Sequence, residues 1–126
     1  VRHISFKPRF INAAGIDLLP DKIHTIRQNF DYWKSYEGLE VALFTWEGVP
    51  YKSKHHIFCT KKLYHVQKVT KSEVADFWKS LDDKNPIPIK TIAINDGFKN
   101  HCEFIDWFVE YPFGEYVILH FTDFRY

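Results

Sequence analysis

The chain has 126 residues, a formal net charge of +1, 45% hydrophobic residues and 18% aromatic residues. That length suits one domain, 1–126, with a core that needs no staples, and so large an apolar payload excludes a disordered chain. The near-neutral balance excludes a strongly basic nucleic-acid binder but is compatible with a local basic groove.

In chain order, residues 2–6 open as a strand, and 10–19 carry apolar residues at a mixed spacing that predicts a short helix ending near Pro20-Asp21. Residues 22–27 predict a strand. Its alternation sets Ile23, Thr25 and Arg27 on one face and Lys22, His24 and Ile26 on the other. NFDYWKSYEG reads as a loop with aromatic anchors, closed by Gly38. LEVALFTW, 39–46, is rich in β-formers and predicts a strand. GVPYK is a turn, and 53–60 and 63–70 predict two more strands. Between Lys71 and Asn85 the pattern is ambiguous, and VADFWKSL fits a short helix or an irregular strand. Pro88 suits the first turn of a helix through KTIAIN, with Gly97 at its left-handed C-terminal position. In HCEFIDWFVEY, Phe104, Trp107, Phe108 and Tyr111 recur at i, i+3, i+4 and i+7, which predicts an amphipathic helix with a core-facing stripe. EYVILHF, 115–121, predicts a buried strand. The sum is α+β, with about five to six strands expected to close or nearly close into a small barrel with flanking helices.

Cys59 and Cys102 are the only cysteines and show no metal-ligand spacing, so free thiols in a cytoplasmic protein are expected, with no metal and no cofactor. No apolar run approaches a membrane span, and VRHISFKPRF does not read as a signal peptide. No Gly-rich phosphate loop, GxSxG, HExxH or dinucleotide fingerprint occurs.

The residues that suggest chemistry begin with Lys22 and Thr25, three apart. A lysine whose pKa is lowered by burial can act as base for a threonine hydroxyl, and Asp96 in AINDGF is a candidate carboxylate to shuttle a proton or hold an amine. The plainer alternative makes Thr25 an ordinary strand residue and Lys22 a solvated charge. His55-His56 point to opposite faces of a strand and so do not suit one metal. With Lys52, Lys54, Lys61 and Lys62 they form either a solvated basic hairpin or a phosphate-contacting patch in which Trp46 and Tyr51 stack on bases.

Lys22-Ile-His-Thr25-Ile-Arg27 resembles the K-x-x-T-x-R signature of ASCH domains, members of the PUA-like superfamily. Phe6 and Phe10 resemble that family's opening aromatics, and Trp33 with Gly38 its W-K-x-G loop. Ala93-Ile-Asn-Asp96-Gly97-Phe98 resembles its A-x-x-[DE]-G-F helix end, and FIDWF…VILHFTDFRY is similar to the tail of a bacterial and phage-type subgroup. The resemblance implies a small PUA-like β-barrel with a cleft that binds RNA or a modified nucleotide or nucleoside. One branch of the family is an amidohydrolase of N4-acetylcytidine, which would make Lys22, Thr25 and Asp96 catalytic. Arg27, His24, Trp33, Lys54 and Phe98 are the further candidate ligand contacts. Two departures are visible: Leu19-Pro20-Asp21 replaces the usual glycine before the lysine, and Asp96 stands where the enzyme branch has glutamate. The shorter carboxylate could sit about 1 Å or more from a catalytic position, a displacement that can cost about a hundredfold in rate.

Overall fold

The computed structural model describes residues 2–72 and 77–126. Its architecture is α+β. Strands β1 (Arg2–Ser5), β3 (Glu40–Trp46) and β4 (His55–Lys62) form a three-stranded sheet in the order β1-β3-β4, with β1 parallel to β3 and β4 antiparallel to it. A second sheet joins β2 (His24–Arg27), β8 (Gly114–His120), β5 (His65–Lys71), β6 (Trp78–Ser80) and β7 (Pro86–Ile87) in the order β2-β8-β5-β6-β7, antiparallel throughout. Three α-helices complete the described residues: α1 (Phe30–Lys34), α2 (Ile89–Asn95) and α3 (His101–Phe108).

The strands follow their sequence patterns. EYVILHF becomes β8, buried from Tyr116 to His120, because β2 and β5 flank it and apolar layers cover it. A continuous apolar run is what such a doubly covered strand requires. The two sheets share one core, in which Val41 and Leu43 of β3 join Val117 and Leu119 of β8. Backbone hydrogen bonds extend the ladder of each sheet past its strand ends: Phe6 N–H donates to Phe44 O at 2.8 Å beyond β1, and Tyr64 N–H to His120 O at 2.8 Å ahead of β5.

The helices show where turn chemistry overrides apolar spacing. In place of the helix expected over 10–19, a 3₁₀ turn at Pro8–Phe10 leads into a loop closed by an Ile11–Leu18 bridge. The Asn12 side chain accepts from the Ile16 and Asp17 amides and so draws that backbone away from a helical ladder. The expected loop at NFDYWKSYEG instead contains α1, started by Asn29, whose side chain accepts from Tyr32 N–H. Pro88 and Gly97 bracket α2 as their chemistry requires. Asn100 caps α3 by accepting from Glu103 N–H at 3.0 Å, and Phe104 and Phe108 form its buried stripe. The helix ends at Phe108, short of the expected Tyr111. There Pro112, four residues after Phe108, has no N–H to continue the ladder, and the Lys71 ammonium donates to Phe108 O (2.6 Å) and Tyr111 O (2.8 Å) instead.

Of VADFWKSL, Val74, Ala75 and Asp76 lie outside the described residues, while Trp78–Ser80 is strand β6. No helix among the described residues is long and apolar enough to cross a membrane.

Candidate functional site

Lys22 precedes β2, which begins only at His24, so strand alternation does not govern its direction. The Leu19-Pro20-Asp21 turn, closed by a 3.0 Å bond from Lys22 N–H to Leu19 O, turns the side chain inward. The next residue, Ile23, donates its N–H to Asn95 O at 2.9 Å and so fastens this segment to the end of α2. The Lys22 ammonium donates to Asp96 O at 2.6 Å and to Asp96 Oδ1 at 3.2 Å. Both side chains are buried, at 2% and 5% exposure. The Phe10 and Phe6 ring centroids lie 4.5 and 5.7 Å from Nζ. Burial among these rings pushes the Lys22 pKa down to about 8, against the opposing pull of Asp96, and the charges of Arg27 and Arg9 add to the lowering.

Asp96 is the C-cap of α2, and Gly97 behind it has φ +92°. A Cβ built on Gly97 would stand 2.9 Å from Lys22 Cδ. Glycine is thus required twice, for the left-handed backbone and for the lysine stem laid against it. Gly97→Ala should destabilise the protein by more than about 1 kcal/mol, read as a lower urea midpoint. An unchanged midpoint would show that the lysine is not packed there.

Thr25 and Arg27 lie on the same face of β2. Thr25 Oγ1 accepts from Arg27 Nη1 at 2.6 Å, leaving the hydroxyl proton available to a ligand. The guanidinium also donates to Ile26 O (2.9 Å) and Ser5 O (2.6 Å), with Cζ 5.3 Å from the Phe6 ring centroid. Arg27 is therefore held rigidly by β1, β2 and one ring.

Lys22, Thr25, Arg27 and Asp96 all line one cavity of about 670 Å³, whose walls include Phe6, Phe10, Trp46, Tyr51, Trp107 and Tyr116. Lys7 stands at its edge over the Trp107 ring, so cations outnumber the carboxylate. No protein-family model, curated protein or solved structure matches the chain.

Four other candidate residues do not line this cavity. His24 is fully buried, because alternation turns it to the opposite face from Thr25, and it touches Asp96 from behind, with Nδ1 3.2 Å from Oδ1. Phe98 is buried behind Phe10, at 5.4 Å between ring centroids, and supports that wall without forming it. Trp33 packs with Tyr32 and Tyr36 on and after α1. Lys54 is exposed in the turn before β4. The dry surroundings of Lys22 thus come from Phe6 and Phe10, not from Tyr32 or Trp33.

Sequence reasoning assigned Trp107 to the core stripe, although it is only partly buried and faces the cavity. Tyr116 sits in an apolar run that reads as pure core, and its hydroxyl, which donates to Pro112 O at 2.6 Å, is the only hint of a second role. Trp46 and Tyr51, considered for stacking on a hairpin, stand at this cavity instead. Among the described residues, no three His, Cys, Asp or Glu side chains converge as a metal-ligand set.

Chemically, the site offers a fixed guanidinium, a hydroxyl donor, and a lysine close to equal populations of ammonium and amine at mildly alkaline pH, all between aromatic walls. The lysine donors go to Asp96 and the threonine oxygen accepts from Arg27, so Lys22 and Thr25 are not each other's partners in this state.

Proposed function

We propose that the chain is a PUA-like, ASCH-type domain of the cytoplasm that binds a nucleotide or modified nucleoside, free or as part of an RNA, in this cavity. The observation that carries the reading is the convergence of Lys22, Thr25, Arg27 and Asp96, from two distant segments, on one aromatic-walled space. Its volume of about 670 Å³ falls in the range of small-molecule sites. Aromatic walls suit a planar base, and the cations at the floor and edge suit a phosphate or carbonyl oxygen. The shared core of the two sheets, with the Arg27 side chain of β2 donating to Ser5 O of β1, supports reading the fold as a small, flattened barrel.

Calorimetric titration with cytidine, cytidine monophosphate and a short RNA at two salt concentrations tests the proposal. Binding should weaken with salt for the phosphorylated ligands, by about 0.7 in log–log slope for each phosphate contact on a single strand. Tyr51 is 90% exposed and carries little of the fold. Tyr51→Ala should therefore weaken binding by about 1–3 kcal/mol, the worth of one stacked base, with the melting temperature unchanged. No heat with any of these ligands at millimolar concentration would sink the reading.

A second reading is favoured by one observation, the lowered pKa of Lys22 in a dry niche at the same cavity as Thr25. In it the protein is an amidohydrolase of an N-acylated nucleoside. Neutral Lys22 takes the Thr25 proton, Thr25 Oγ1 attacks the acyl carbon, the amine leaves with that proton relayed through Asp96, and water then cleaves the acyl ester to restore the Thr25 hydroxyl. Release of cytidine from N4-acetylcytidine, lost in Thr25→Val, is the expected result. Binding without release would leave the first reading alone.

A further inference from the structure

Behind the cavity lies a chain of polar side chains that ligand binding does not itself require. The Tyr126 hydroxyl is 2.7 Å from His24 Nε2 and 2.9 Å from Asn95 Nδ2. Tyr126 is held by its backbone as well. Its N–H donates to Gln67 Oε1 at 3.2 Å, and its carbonyl accepts from Gln67 Nε2 at 2.6 Å. Gln67 is itself fixed by His120 Nε2 at 2.9 Å and by Ser80 Oγ.

The directions of these bonds follow from donor inventory. The Asp96 carboxylate only accepts, so the proton of the neutral His24 ring sits on Nδ1, facing Asp96 Oδ1 at 3.2 Å. Nε2 is then an acceptor and takes the Tyr126 hydroxyl proton, while that hydroxyl receives from Asn95 Nδ2. The same oxygen receives Lys22 Nζ, also at 3.2 Å. Burial keeps His24 neutral by lowering its pKa, with Asp96 pulling the other way, and burial raises the pKa of Tyr126 so that it keeps its proton.

We propose that His24 is a positioning residue, seated by Tyr126, that holds the Asp96 carboxylate against Lys22 and so governs the charge of the cavity floor from the far side of β2. An orienting partner behind a functional histidine or carboxylate fixes ring geometry and proton location in the same way at metal and catalytic sites. The inference rests on the nucleotide reading for its purpose, but its readout needs no ligand, so failure of binding leaves it standing.

The test is the Lys22 titration, followed by NMR of the lysine side chain in ligand-free protein. The groups facing Lys22 are Asp96, Arg27, Arg9 and the rings of Phe6 and Phe10, while Asp96, Tyr126, His120 and Lys22 surround His24. In His24→Leu the Asp96 carboxylate loses the Nδ1–H donor and is free to turn from Lys22. The Lys22 pKa should fall by on the order of one unit, with the amide spectrum otherwise native. His24→Asn keeps a donor at the Nδ1 position and should hold the wild-type value. Tyr126→Phe leaves the Nδ1 proton facing Asp96 but removes the bond that seats the ring, and should give a smaller fall. If His24→Leu does not fold, the contrast between His24→Asn and His24→Ala decides the same question. A Lys22 pKa that stays constant or rises when His24 is replaced by an apolar residue would overturn the proposal.

Discussion

Asp96→Ala is expected to lower stability by about 3–5 kcal/mol, the cost of stripping one partner from a buried ion pair. The Lys22 side chain is 2% exposed and has no water to turn to once the carboxylate is gone. Its other bond, to the Asp96 carbonyl, survives the substitution but carries only a partial charge. His24 loses its Nδ1 partner in the same step. The penalty has a ceiling, because Lys22 can shed its proton and sit neutral among Phe6 and Phe10. Shedding it costs less as pH rises, so the deficit of Asp96→Ala should shrink between neutral pH and pH 10. Urea denaturation of both proteins at several pH values measures this. A deficit that does not change with pH would show that lost packing, not an unpaired charge, causes the damage.

The second large effect concerns the wild-type protein. Lys22 titrates at about 8 when folded, against 10.5 for the unperturbed side chain. Between those values the unfolded chain binds more protons than the folded one, so unfolding free energy rises with pH across this window. At neutral pH the folded protein therefore carries the cost of a charged, buried lysine, and that cost is relieved as pH rises through 8. The full gain is on the order of 3 kcal/mol. Buried tyrosines oppose it near the upper end, since burial raises the pKa of Tyr116 and Tyr126 in the folded state. The difference between wild type and Lys22→Met isolates the lysine, and that variant should show a flatter profile from pH 8 to 9.5. Parallel profiles would mean that Lys22 keeps an ordinary pKa.

Legibility of the fold tracked how local its causes are. LEVALFTW and EYVILHF declare themselves as strands because burial on the sheet demands unbroken β-forming apolar residues. Pro88 and Gly97 bracket α2 through backbone chemistry that needs no tertiary partner. Residues 10–19 misled because apolar spacing outweighed Asn12 and Gly15, whose turn preferences the structure follows. Helix α1 escaped notice because it has five residues and only its Asn29 cap announces it. At the site, Lys22, Thr25, Arg27 and Asp96 were legible as a group, but the walls were not. Phe6, Trp46, Trp107 and Tyr116 come from four separate elements or loops, and only the packed chain brings them together. His24 was misplaced on the cavity because strand alternation says which residues share a face, not which face is hollow.

The strand order has a bearing on how the molecule assembles in time. Strand β2, which carries Thr25 and Arg27, stands at the edge of its sheet, and its one neighbour there is β8, with Thr25 opposite Leu119. A chain emerging from the ribosome therefore exposes β2 for the synthesis of some ninety further residues before a partner strand exists. Contacts of such sequence separation are costly to close and form slowly. The cavity is completed only when Gly114–His120 docks, so folding intermediates that lack β8 also lack its floor. The cavity accordingly exists in the finished molecule or not at all.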